Sequence, residues 1–237
     1  MKPQSRSFNR GCVSKHNLGV VLKLATLLLL GLPSVSIADW IGDARPMMGT
    51  EVSVHLWSDD PEVGNALLEE VFQEAARIDR LMSTYKDDSE ISEINRRAAD
   101  TAVVAGEELF GLIRRSIDIS RLTDGAFDIT YESVGQHYDF RKHQRPDDGT
   151  VAKELANIDY RLLQLDDSKT TVRFLKKGVR INLGGIAKGY VVERGIALLR
   201  TRGIRNAVVT AGGDSRLLGD RRGRPWMIGI RDPRVDG

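Results

Sequence analysis

Alternating apolar residues that break on two adjacent glycines and resume at helical spacing constrain this chain more than any other stretch. Val179, Ile181 and Leu183 alternate with Arg180 and Asn182, the period of a strand. Gly184 and Gly185 follow, and they let backbone approach a ligand without a Cβ in the way. From Tyr190 to Arg202 the spacing is helical: Val191, Val192, Gly195, Ile196, Leu198 and Leu199 form one apolar stripe, and Gly203 is the expected stop. A glycine turn feeding a helix N-terminus offers N–H groups and a positive dipole end to an anion, and Lys188 adds a point charge beside it. Neither G-x-G-x-x-G nor G-x-x-x-x-G-K-[ST] is present. On these residues alone, a glycine pair between strand and helix more often reports simple packing than an anion site.

The 237 residues suffice for one or two domains with a real core. Residues 1–38 read as a secretory signal peptide rather than fold. Lys2, Arg6, Arg10, Lys15 and Lys23 make a basic start, Leu24 to Leu32 is a short apolar run, and Ser36-Ile37-Ala38 has small residues for cleavage after Ala38. The run falls well short of the ~20 residues of a spanning helix, so no stable membrane anchor is expected after cleavage. Cys12 is the only cysteine and lies in this segment, which removes disulfides, thiolate metal sites and cysteine nucleophiles from the mature chain. Cleavage takes away five basic and no acidic residues, leaving 30 basic against 33 acidic, a net of −3. Nucleic acid is therefore not an expected partner. The expected location is the periplasm or an equivalent exported compartment.

Along residues 39–237, Val52, Val54 and Leu56 alternate with Glu51, Ser53 and His55 in a half-buried strand that follows Met47-Met48-Gly49-Thr50. Asp60-Pro61 starts a helix whose Val63, Leu67, Val71, Ala75, Ile78 and Met82 share a face. It ends near Ser83-Thr84-Tyr85. Asp87-Asp88-Ser89 caps a short helix reaching Arg97. Glu107 to Leu122 is a third helix, with Leu109, Ile113, Ile117 and Leu122 inward, broken at Thr123-Asp124-Gly125. Asp124-Gly125-Ala126-Phe127, read alone, is a helix C-cap with a Phe plug. Tyr138 to Gly149 is a polar loop, and its histidine, His143, like His137 just before it, reads as solvated; no H-x-x-x-H or H-E-x-x-H spacing supports histidine-bound zinc. Leu162–Asp166 and Thr170–Leu175 are strands around a turn at Asp167-Ser168. Asn206–Thr210 is an apolar strand leading to Ala211-Gly212-Gly213-Asp214, a close-approach turn. Trp226 to Asp232 reads as an edge strand ended by Pro233.

Five stretches, in order, resemble the ApbE-type FAD:protein FMN transferases: Met48-Gly49-Thr50, Asp79 to Asn95, Gly125-Ala126-Phe127-Asp128, Asn182 to Tyr190 with Gly212-Gly213-Asp214 behind it, and Trp226 to Pro233. The resemblance runs from Met48 to Asp232. It implies an α+β fold of mixed or antiparallel sheets with packed helices. It also implies an enzyme that splits FAD and attaches FMN to a Thr or Ser of an exported redox subunit, with AMP leaving. By resemblance, Met48, Tyr85, Ala126, Phe127, Asp128, Asn182 and Lys188 would contact FAD, and Lys188 would also act in catalysis by meeting the diphosphate or the leaving charge. Gly185 would give a carbonyl to Mg2+. Gly212-Gly213-Asp214 would stand behind the same cleft.

Two departures accompany the resemblance. Asn182 stands where many relatives have Asp, and Glu132 to Tyr138 replaces a Trp-containing run. Relatives also continue beyond a point like Asp232, with a His-x-x-Asp-Pro motif and an Asp/Thr pair that completes the metal site. The expectation is a truncated member with an incomplete magnesium site. Two other classes stay open: a non-catalytic exported flavin binder, and a hydrolase that releases FMN and AMP from FAD.

Overall fold

The computed structural model describes residues 38–139, 142–229 and Arg234. The signal-peptide reading of residues 1–38 and the 230–233 end of the last expected strand therefore lie outside the described residues, Ala38 excepted.

Two long helices organise the chain. Helix α1, Pro61–Met82, begins as the sequence dictates: Asp60 accepts hydrogen bonds from the N–H groups of Glu62 and Val63, and proline fills the first turn. Helix α6, Gly184–Thr201, ends in a Schellman arrangement, with the N–H of Ile204 donating to Leu199 O and that of Gly203 to Arg200 O. Between them come α2 (Glu90–Arg97, capped by Ser89), α3 (Glu107–Leu122), the one-turn α4 (Glu132–Gly135) and α5 (Asp148–Glu154).

A four-stranded antiparallel sheet lies against both long helices in the order β1 (Asp39–Met47), β2 (Thr50–Ser58), β6 (Ala207–Ala211), β7 (Asp214–Leu218). The small β3 (Val103–Val104), β5 (Thr171–Phe174) and β4 (Leu163–Asp166) form a second antiparallel sheet in that order. The inner face of the larger sheet is Val52, Val54 and Leu56 with Ala207, Val209 and Ala211. It packs on Leu67, Leu68, Val71 and Phe72 of α1 and Val192, Ile196 and Leu199 of α6. The other ends of both helices enter a second core: Ile78 and Met82, then Ala187 and Val191, meet Ile94, Ile113, Ile129 and Phe174. Each fully buried aliphatic side chain here contributes about 1.5–3 kcal/mol. Behind the junction, Arg77 joins Glu74 and Glu108, Tyr190 donates to Glu108 and Arg194 to Glu74, which ties α1, α3 and α6 together.

Several expectations are corrected. The apolar side chains of the segment 179–183 are buried, but the segment is in no sheet, and Leu183, the residue before α6, has φ −95° and ψ 9°. Its backbone groups are met by other partners: Arg180 N–H donates to Ser133 Oγ (3.0 Å) and Asn182 N–H to Ile129 O (2.9 Å). The buried Asn95 amide takes both groups of Ile181, accepting from its N–H at 2.8 Å and donating to its carbonyl at 2.9 Å. Alternation alone reports burial on one side, not ladder pairing. Helix α6 starts at Gly184 rather than Tyr190, so both glycines are helical. Leu122 and Val63, expected inward, are exposed. Trp226 to Gly229 has no ladder partner among the described residues. Strands β1 and β7 went unread because their polar, half-exposed residues leave no clean alternation.

Replacing Asn95 by Leu keeps the volume but strands a buried N–H and a buried carbonyl. Chemical denaturation is expected to show a loss of about 3 kcal/mol; a loss below about 1 kcal/mol would mean that solvent can replace the amide.

Candidate active site

The first turn of α6 borders a cavity of about 670 Å3. Three segments enclose it. The β1–β2 hairpin gives Met48 and Gly49, the end of α1 gives Asp79 and Met82, and the following turn gives Ser83 to Lys86. Tyr131, Asn182, Gly184, Ala187 and Lys188 complete the wall. Met48 and Gly49 form the two-residue loop with φ of 53° and 70°, the left-handed pair of a type I′ hairpin. A methionine in that conformation is strained, and strain of this kind gathers at functional sites.

Asn182 sets the N-terminus of α6. Its Oδ1 accepts from Gly184 N–H at 2.7 Å, and its amide nitrogen donates to Glu132 Oε2 at 2.9 Å and to Thr84 Oγ1 at 3.2 Å. Ile186 and Ala187 N–H both donate to Leu183 O. The N–H of Gly185 is then the first-turn donor with no acceptor among the described residues. Gly184 and Gly185 are both exposed; Gly184 lines the cavity, and Gly185, next to it, is not among the lining residues. The Lys188 stem runs beside Gly212, where a Cβ would stand 3.3 Å from it, and its Nζ lies 3.5 Å from Gly184 O. Gly212, at φ 61°, thus leaves room for the lysine.

Of the residues named by the sequence, Met48, Tyr85, Asn182 and Lys188 meet around this one cavity. Ala126, Phe127 and Asp128 do not line it. Asp128 is engaged in the fold: one oxygen accepts from Thr130 N–H and Oγ1 at 2.8 and 2.6 Å, the other from Tyr160 N–H at 2.8 Å. Phe127 lies behind the turn, where a Cβ on Gly185 would come within 3.1 Å of its ring. As the second residue of α6, Gly185 directs its carbonyl along the helix axis. Among the described residues no group of three His, Cys, Asp or Glu gathers as a metal site. A cation there would draw its other ligands from substrate, water or groups outside the described residues.

Sequence reasoning missed Tyr131, Lys86, Asp79 and Glu132. Lys86 pairs with Asp79 at 2.6 Å on the cavity wall. The Tyr131 hydroxyl reaches within 3.7 Å of where a Cβ on Gly184 would stand. Burial pushes that phenol up to about 12, with Glu132 and Tyr85 adding to it. Glu132 is itself buried, and burial raises its carboxyl above the ordinary range while the Asn182 hydrogen bond and Arg180 pull it back. The available signal was position: both residues directly follow the Ala126–Asp128 stretch.

Comparison with known proteins places this geometry. The sequence model of the ApbE family matches residues 48–237. The chain belongs to the ApbE family. The ApbE protein of Thermotoga maritima has the same fold, with a TM-score of 0.76 and 30% identity over 84% of this chain and 65% of that one. The flavin transferase ApbE of Vibrio cholerae matches at a TM-score of 0.75 and 27% identity, over 83% of this chain and 65% of that one. Among curated relatives, the FAD:protein FMN transferase of Treponema pallidum is 28% identical over 82% of this chain and 58% of its own length. That of Vibrio cholerae is 29% identical over 91% and 66%. The chain thus spans about three-fifths of the length of such relatives. The α+β fold with antiparallel sheets agrees with the expectation from sequence.

The raised Glu132 carboxyl gives a signed prediction. Its contribution to stability is complete below the unfolded value of 4.5 and is lost as pH rises through the higher folded value. Glu132→Gln is expected to melt with the wild type near pH 4 and above it at pH 8. A gap that is flat with pH, or widest in acid, would contradict the assignment.

Proposed function

We propose that this ApbE-family chain binds FAD in the cavity at the start of α6 and serves as an FAD:protein FMN transferase. The observation that carries the reading is one cavity of about 670 Å3 lined by Gly184 and Lys188 at the start of α6, beside the exposed Gly185, together with two tyrosines, Tyr85 and Tyr131. Anion and ring are thereby offered separate partners. The names of the curated relatives support the same reaction.

In this reading the diphosphate of FAD sits against Gly184-Gly185, with the Gly185 N–H donating to it and Lys188 balancing its charge. A Thr or Ser hydroxyl of an exported acceptor attacks the FMN-side phosphorus. A new O–P bond forms, the P–O bond to AMP breaks, the hydroxyl proton passes to solvent and AMP leaves with the bridging oxygen. Such transfer rests on position and charge neutralisation. A divalent cation bound with the substrate would supply further neutralisation; the described residues do not assemble a ligand set for it, so no step is assigned to one. Met48, Tyr85 and Tyr131 hold the flavin end. Asn182 fixes the turn, with only Oδ1 retaining an unfilled acceptor position toward ligand. Ala126, Phe127 and Asp128 support the site from behind.

Titration with FAD, followed by flavin fluorescence, tests the binding half. Lys188→Ala is expected to raise Kd about tenfold, less so at high salt. Equal affinities at low salt would remove Lys188 from the site. For the transfer half, the full chain is mixed with FAD, magnesium and a Thr-bearing acceptor domain. Covalent FMN by mass spectrometry is the expected result. AMP released without acceptor would assign a hydrolase instead, and bound FAD without turnover a flavin binder.

A further inference from the structure

Glu132 lies outside the contacts proposed for FAD, yet it is a buried carboxylate one residue away from the site. It sits on α4, and the cavity turn is fifty residues later in the chain. What joins them is one side-chain amide.

The Asn182 amide faces three segments at once. Its nitrogen gives one hydrogen to Glu132 Oε2 and the other to Thr84 Oγ1, and its oxygen accepts from Gly184 N–H. Its own backbone N–H is held by Ile129 O. Only a side chain with both a donor and an acceptor can satisfy a carboxylate on one side and a helix N–H on the other. An aspartate in place of Asn182 would still cap Gly184, and aspartate is as good a helix cap as asparagine. It could not donate to Glu132, and it would set a half-buried carboxylate against the buried one of Glu132.

We propose that Glu132 is a positioning residue, acting through Asn182 to fix the first turn of α6 against the cavity, and that the two side chains are a matched acid–amide pair whose polarity can be reversed. The proposal rests on the FAD-binding reading for its functional consequence. The geometric pairing is independent of that reading. Charged or titratable neighbours that act on Glu132 are Arg180, from the segment before α6, and Tyr131, next to it on the chain.

The test is a double-substitution cycle on the full chain: Asn182→Asp, Glu132→Gln, and both together, read by thermal melting without ligand and by FAD titration. Asn182→Asp is expected to lower the melting temperature and to raise the FAD Kd at least tenfold at pH 8. Its defect should shrink at pH 5, where one carboxylate of the pair takes up a proton. In the double variant the new amide on α4 can donate to the new carboxylate before α6, and recovery of Kd to within about threefold of wild type is expected. If Asn182→Asp does not fold, recovery of folding in the double variant is the supporting result. Additive effects, with the shifts of the double variant in melting temperature and Kd equal to the sum of the two single-variant shifts, would overturn the pairing. A melting cycle that shows recovery in a chain that binds no FAD would uphold the pair and remove the flavin reading. FAD binding with additive melting effects would do the reverse.

Discussion

The candidate-site end of this fold depends on a stretch of backbone that has no strand beside it among the described residues. The segment 179–183 threads through the core outside any sheet, and its polar groups are met by Asn95, Ser133 and Ile129 rather than by a ladder. A buried amide or carbonyl left without a partner is destabilising, so each of these bonds fixes the path of the chain as well as stabilising it. That path determines where Gly184 emerges. Asn182 then caps the helix that starts there, and Gly184 faces the cavity because the preceding apolar residues are locked behind it.

The rest of the molecule holds that arrangement in place. Helices α1 and α6 each run through both cores, so the end of α1 and the start of α6 are brought to the same cavity wall. The β1–β2 hairpin closes a second wall with a strained Met48. The β6–β7 turn leaves space for the Lys188 stem. The start of α6 and the end of α1 carry Gly184, Ala187 and Lys188 and Asp79 and Met82, while Met48, Tyr85 and Asn182 sit on the short connections beside them.

Much of this was legible in the sequence. The cap at Asp60-Pro61, helix α3 at Glu107–Leu122 and the inward face of β2 follow from local chemistry and period, and the structure has them at those residues. The gathering of Met48, Tyr85, Asn182 and Lys188 could be inferred only from resemblance, because no spacing rule brings residues so far apart together. Residues 179–183 were misread as a strand because a buried segment has the same alternation whether its partner is a strand or a set of side chains. Asp128 carries the same lesson. An acid in a glycine-rich turn can face a ligand or bind its own backbone, and only coordinates distinguish the two; here it accepts from Thr130 and Tyr160. Glu132 was passed over because it falls in the run, Glu132 to Tyr138, that departs from the resemblance, and Tyr131 because no spacing or motif marked it.

One measurement bears most directly on the claim that the first turn of α6 receives the dinucleotide's diphosphate: a crystal structure of the chain with FAD bound. The account predicts phosphate oxygens at about 3 Å from Gly185 N–H, Lys188 Nζ beside them and the isoalloxazine ring against Tyr85 or Tyr131. A diphosphate on the Lys86 side of the cavity, or FAD bound elsewhere with the glycine turn open to water, would contradict it.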